Sequence, residues 1–217
     1  MSHPSQRSSC DSSQHTRQRL IEAGIRLFGE QGFSATTTRQ LAEAASANIG
    51  SIAYHFGNKH GLYLAAAGYI AAALRQRLGL FPPPIDEATL PMDTADARRA
   101  LQAFVQHMVR VFTEDPDCRR WMLMVMREQA QPGAAFDILY DDAFGHLQKR
   151  VSALIARIID RPQESRRVIV ETHTLVGQVL FLLIGREALL RRLGLTDFDA
   201  DTLADIDAVI ERHLNRL

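Results

Sequence analysis

Cysteine is scarce in this chain of 217 residues: Cys10 and Cys118 are the two present, too few for a disulfide framework. Long apolar runs are missing as well. The best candidate, Val179 to Ile184, is six residues long and follows Glu171, His173 and Gln178, far short of the roughly 18 to 20 residues that cross a bilayer. The first 15 residues lack the apolar stretch of a secretory signal, so the expected location is cytoplasmic. Catalytic signatures are lacking too: there is no Cys-x-x-Cys, His-Glu-x-x-His, phosphate-cradling glycine loop or Gly-x-Ser-x-Gly. Asp141 or Asp142 could share a helix face with His146, but no cysteine or second histidine stands beside them. The expectation is a protein that is not an enzyme, with no metal and no cofactor. Formal charge also cancels, 25 Lys and Arg against 25 Asp and Glu, which removes the simplest sign of a polyanionic partner.

The cancellation hides an asymmetry. Residues 1–80 carry eight basic and four acidic side chains, a net of +4, and residues 81–217 carry 17 and 21, a net of −4. A basic module that meets a polyanion, joined to an acidic module with another task, fits this division. Hydrophobic residues at 46% and charged residues at 23% are ordinary globular usage, and the length suffices to bury on the order of 70% of the unfolded surface.

Apolar residues recur at three and four, alternating β-branched runs and internal repeats are absent, and the chain reads as all-α. Serine-rich residues 1–15 read as a flexible tail, 16–80 as one domain, the proline-rich 81–93 as a linker, and 94–217 as a second domain. The first helix is expected from Thr16 to about Gln31, with Leu20, Gly24, Leu27 and Phe28 on its buried face and Gly32 as its left-handed stop. Thr37 and Gln40 have capping-box spacing at the start of a second helix ending near Ala45. Asn48 and Asn58 suit the N-caps of a third and a fourth, the latter reaching residue 79. Beyond the linker, helices are expected at about 94–114, 117–130, 134–160, 163–185, 187–193 and 202–216.

Two short helices separated by Ser46, Ala47 and Asn48 have the dimensions of a helix-turn-helix. At about 100° per residue, Ile49, Ile52, Ala53 and Phe56 form one stripe, expected to dock the third helix, while Gly50, Ser51, Tyr54 and His55 project outward. Small residues and donors on that face suit approach to a groove wall. The candidate DNA contacts are Thr37, Thr38, Arg39, Asn48, Gly50, Ser51, Tyr54, His55 and Lys59. Lys59 is assigned to phosphate, and Arg39 to phosphate or to guanine. Ordinary surface positions are the alternative for Tyr54 and His55, and a merely solvated charge is the alternative for Arg39.

The pattern Ala23, Leu27, Phe28, Gly32 and Phe33, then Thr37, Thr38, Leu41 and Ala42, then Gly50, Ser51, Ile52, Tyr54, His55 and Phe56 with Asn58 and Lys59, resembles the DNA-binding domain of TetR-family transcriptional regulators. Ser46, Ala47 and Ala53 depart from it, where the family usually has Gly, Val and a phosphate-binding Tyr. The C-terminal part resembles a subgroup with a CerR-type (YbiH-like) C-terminal domain, through Met124, Arg127, Glu128 and Gln129, through Pro132, Gly133, Phe136, Leu139 and Tyr140, and through Val176 to Phe181. The resemblance implies a homodimeric all-α repressor: a three-helix DNA-binding domain, and a C-terminal ligand-binding and dimerisation domain from which a small molecule releases the operator.

For that effector the candidate residues are Phe104, His107, Trp121, Met122, Met126, Arg127, Phe136, Tyr140 and His173. Thioethers and aromatics suit an adaptable cavity, and they suit a core equally. The adjacent Arg127 and Glu128 read as an internal ion pair or a polar anchor for a ligand. Val168, Leu175, Val179 and Leu182 on one helix, with Leu203, Ile206, Ile210 and Leu214 on the last, read as a four-helix interface with a second copy or as intramolecular core. A helical ligand-binding or enzyme scaffold that never touches DNA is the competing function.

Overall fold

The computed structural model describes residues 5–80 and 93–217, and every regular element among them is helical. The helices are α1 (Ser5–Gln31), α2 (Thr38–Ala44), α3 (Gly50–Phe56), α4 (Lys59–Arg77), α5 (Thr94–Glu114), α6 (Pro116–Ala130), α7 (Ala134–Leu139), α8 (Gly145–Ile159), α9 (Arg166–Ile184), α10 (Arg186–Leu193) and α11 (Ala200–Leu214). A π-helical turn, Tyr140–Phe144, joins α7 to α8, so the single helix expected over 134–160 carries a local widening. α1 begins at Ser5 rather than Thr16: the apolar pattern marks the docked part of a helix and is silent about the turns before it. The expected linker lies outside the described residues except for Asp93, which caps α5 by accepting from the Asp96 amide at 2.7 Å.

The helices pack as two compact units. One contains residues through Leu74 together with Arg120–Asp142; the other contains Arg75–Arg119 and Ala143–Leu217. This differs from a division along the chain at 81–93, because prolines mark where a chain turns and not which faces meet. In the first unit, α1 packs on α2 and α3, around Leu20, Ile21, Leu27, Phe28, Leu41, Ala42, Ala45 and Ile52, all buried. Gly24 and Gly29 let other helices approach α1: a Cβ on Gly24 would lie 3.6 Å from Leu62, and one on Gly29 would lie 3.1 Å from the Leu123 Cβ and 3.2 Å from the Met124 amide. Gly32 ends α1 at φ 83°, its N–H on the Phe28 carbonyl at 2.9 Å.

In the second unit, α5, α8 and α9 pack on one another, α11 lies on α5, and α10 on α9. Arg77 is clamped by the carboxylates of Asp115 and Asp117, and Arg150 stands 4.4 Å over the Phe104 ring while donating to the Gly79 carbonyl. α9 is long and apolar enough, by length and composition, to cross a membrane. One of its faces, Val168, Thr172, Leu175, Val179 and Leu183, is buried among its neighbours. Of the residues read as an interface or as intramolecular core, Val168, Leu175, Val179, Ile210 and Leu214 are buried, and Leu182, Leu203 and Ile206 are half-buried. The apolar residues that α9 leaves exposed are others: Ile169, Val170, Phe181 and Ile184.

The turn between α2 and α3 places Ser46 at φ 48°, and the Ala47 amide closes it on the Ala42 carbonyl at 2.8 Å. An L side chain in this left-handed region costs about 1–2 kcal/mol, partly matched by the entropy that glycine loses on folding. Ser46→Gly is therefore expected to raise the melting temperature by about 1–4 °C, a stabilisation of about 0.5–1 kcal/mol. A lower melting temperature would mean that the serine side chain holds the turn.

Candidate nucleic-acid interface

α2 and α3 are each seven residues long, too short to persist alone, so their orientation is set by what docks them. α2 starts in a closed capping box: the Thr37 hydroxyl accepts from the Gln40 amide at 3.2 Å, and Gln40 Oε1 accepts from the Thr37 amide at 2.8 Å. The same hydroxyl donates to Gln40 Oε1 at 2.8 Å. Thr37 thus has no hydroxyl proton left for a phosphate, which changes its expected role to holding α2. Thr38 is half-buried, and Arg39 is exposed with no hydrogen bond or ion pair among the described residues. Thr36, which sequence reasoning passed over, is fully buried and donates to the Gly32 carbonyl at 2.8 Å and the Leu27 carbonyl at 3.2 Å. A threonine at the end of a turn looks polar and surface-bound until those carbonyls are located.

α3 is docked through Ile52, 2% exposed, and the half-buried Phe56, whose ring lies 5.3 Å beneath the Arg17 guanidinium. Ser51 and His55 are half-buried on the same side. The expected stripe is therefore rotated. Ile49 is 53% exposed and Ala53 is exposed, because a stripe assembled from apolar identity alone took in two residues that packing leaves outside. Asn48, Gly50 and Tyr54 share that outward side, with Tyr54 79% exposed and its ring edge-on to His55 at 4.8 Å. The N-cap of α3 is Ile49 rather than Asn48, whose Oδ1 still accepts from the Gly50 amide at 2.9 Å; Asn58 caps α4 as expected by accepting from the Gly61 amide at 2.9 Å.

Lys59 is the largest revision. Its Nζ donates to the carbonyls of Phe33 and Thr36, both at 2.9 Å, and sits 4.3 Å from the centre of the Phe33 ring. The loop between α1 and α2 has carbonyls that no helix amide satisfies, and an ammonium at the head of α4 supplies the donors. Lys59 thus ties the head of α4 to the loop between α1 and α2, using two of the three N–H donors of its ammonium.

The effector candidates divide between the two units. In the first unit Trp121 is buried, edge-on to Tyr69 at 6.3 Å; Met122 is half-buried; Met126 and Tyr140 are exposed; and the half-buried Phe136 stacks on Tyr140 at 6.1 Å. Arg127 donates to the carbonyls of Gly29 at 2.7 Å and Glu30 at 3.0 Å, closing the end of α1. Glu128, 6% exposed, accepts from the Tyr63 hydroxyl. Burial first, then that hydrogen bond and the charge of Glu128, hold the Tyr63 phenol well above its usual range. Arg127 and Glu128 are thus spent within the unit on separate partners, in place of a mutual ion pair. In the second unit Phe104 is buried, His107 is exposed with Nε2 2.7 Å from the Arg77 carbonyl, and His173 is exposed. Burial pushes the lone Cys118 thiol up to about 12. A hollow of about 650 Å³ on α11, lined by Asp205, Ala208, Val209, Glu211, Arg212 and Asn215, contains none of the candidates.

Residues 20–66 match the family model described as bacterial regulatory proteins of the tetR family, and residues 97–217 match the C-terminal domain of the HTH-type transcriptional dual regulator CecR. The chain belongs to the TetR family of transcriptional regulators. It is 32% identical over 207 residues to the dual regulator CecR of Shigella flexneri, covering 93% of this chain and 91% of that one. It is 26% identical over 181 residues to the transcriptional repressor AcnR of Corynebacterium glutamicum, covering 82% and 85%. The solved structure of AibR in complex with isovaleryl coenzyme A and operator DNA superposes with a TM-score of 0.59 at 14% identity, covering 90% of this chain and 96% of that one. The TetR-family match spans α2 and α3, which form the helix-turn-helix of this TetR-family chain.

Lys59→Ala is expected to destabilise the protein by about 1.5–3 kcal/mol, the range for hydrogen bonds to a charged group, and to leave the salt dependence of duplex binding unchanged. Arg39→Ala is expected to weaken duplex binding with an unaltered melt. Equal melting temperatures for Lys59→Ala and the parent would return Lys59 to the phosphate contacts.

Proposed function

We propose that this TetR-family regulator is a homodimeric repressor that acts in the cytoplasm and leaves its operator when a small molecule binds the C-terminal domain. The observation that carries the DNA-binding part is the outward side of α3, where Asn48, Gly50 and Tyr54 stand clear of the core, with Arg39 also exposed on α2. Side chains at the start of such a helix reach base edges, while hydroxyl, imidazole and guanidinium donors hold the phosphates. The proposed contacts are Thr38, Arg39, Asn48, Gly50 and Tyr54, with the half-buried Ser51 and His55 reaching the duplex from the edge of the docked side and Thr37 and Lys59 as supports. Repression is supported by the relative named as the repressor AcnR. Binding of both a small molecule and an operator is supported by AibR, solved in complex with isovaleryl coenzyme A and operator DNA. Similarity to the dual regulator CecR over most of both chains supports a second reading, in which one operator position represses and another activates.

One recognition helix reads few bases, so two half-sites about 34 Å apart multiply specificity and call for a dimer. Its proposed surface is the exposed side of α9, where Val170, Thr174, Gly177, Phe181 and Ile184 are spaced as the seam of a helix pair, with Val209 on α11. An effector that distinguishes two spacings of the half-site readers by about 1–3 kcal/mol changes operator affinity roughly 5- to 150-fold.

Selection of random-sequence duplexes by the full chain is expected to yield an inverted repeat whose affinity falls by about 0.9 log units per log unit of salt for each phosphate neutralised. Failure to enrich any sequence would favour a helical scaffold without a DNA target. Phe181, 66% exposed, is dispensable to the core, so Phe181→Glu is expected to give a folded monomer in sedimentation with affinity reduced at least tenfold for the two-half-site duplex. A dimer that persists in Phe181→Glu would place the interface elsewhere.

A further inference from the structure

The outward side of α3 is not made of donors alone. Ile49 opens it with 53% of its surface exposed, and the exposed Ala53 follows four residues on, in the same helical register. The Ile49 side chain is not among those that dock α3. It sits at the N-cap without a side-chain capping bond, the neighbouring Asn48 oxygen takes the Gly50 amide, and docking falls to Ile52 and Phe56. A branched aliphatic side chain is thus half in water at the very turn from which base edges are reached, on the same outward side of α3 as Tyr54, in a segment of net charge +4. That charge matches a polyanion and not an apolar protein surface. The major groove of duplex DNA offers one apolar group, the 5-methyl of thymine.

We infer that Ile49 determines specificity by packing on a thymine methyl in each half-site, with the small Ala53 leaving the helix room to come close enough. The assignment rests on the DNA-binding function proposed above. It explains the rotation of α3: the residues that pattern alone sends to the core are turned outward because their apolar partner is on the DNA. Tyr54 and Arg39 hold the duplex without distinguishing thymine from uracil.

The test uses the full chain and the duplex that it selects. Each thymine of one half-site is replaced in turn by uracil, which removes the methyl and leaves every hydrogen-bonding group in place. For the parent protein, one position is expected to weaken binding about fourfold, the affinity equivalent of one buried methyl-sized group. Ile49→Ala, which alters an exposed residue and is expected to melt as the parent does, should bind the thymine and uracil duplexes with equal affinity at that position. Ile49→Val should restore most of the difference. Two results overturn the inference: no uracil substitution weakens the parent, or the loss is the same in Ile49→Ala. If the parent selects no duplex, the DNA-binding function itself fails, and this assignment fails with it.

Discussion

A seven-residue helix has almost no stability of its own in water, so the N-terminal unit depends on one docking contact, the burial of Ile52 between α1 and α2 with Phe56 closing its edge. Everything else there serves to keep that contact in place. The capping box of Thr37 and Gln40 fixes where α2 begins, Ser46 accepts a left-handed backbone so that the chain can turn within a few residues, and Thr36 ties the approach to α2 back onto the carbonyls of α1. Remove the docking and α3 is a loop, with no face to present.

Several cations among the described residues act as backbone donors. Lys59 satisfies two loop carbonyls, Arg127 two carbonyls at the end of α1, and Arg150 the Gly79 carbonyl beyond α4. Each stands where helix geometry leaves oxygens without an amide partner, and a flexible charged side chain reaches them from another element. The net charge of the first 80 residues therefore overstates what is offered to a polyanion, since part of it is turned inward. Arg39, exposed and without a partner among the described residues, counts in full.

Most of the fold was legible because the signals were local. Gly32, the box of Thr37 and Gln40, Asn48, Asn58, and the glycines and prolines between later helices each act within a few residues of where they stand, and the helices begin and end accordingly. What was not legible depended on rotation and on distance along the chain. Ile49 and Ala53 have the identity of core residues and the position of surface ones, and on α9 two apolar faces compete, of which Val168, Leu175 and Val179 took the core while Val170 and Phe181 stayed outside. The fates of Lys59, Glu128 and Arg127 were set by carbonyls and a phenol dozens of residues away, which no spacing rule encodes. The family motifs located the helix-turn-helix segment reliably, because several weak local requirements coincide there.

The seam between α1 and α6 has a mechanical corollary. With no side chain at Gly29, the backbone of Met124 and the Cβ of Leu123 come within contact distance of where one would begin, and Arg127 latches the same stretch one turn further on. A helix that slides by a single residue moves about 1.5 Å and exchanges one facing side chain for another. No intermediate offset fits a notch one atom deep. The two rods must travel together like a tooth and its slot or come apart entirely, so motion across this seam is stepwise rather than graded.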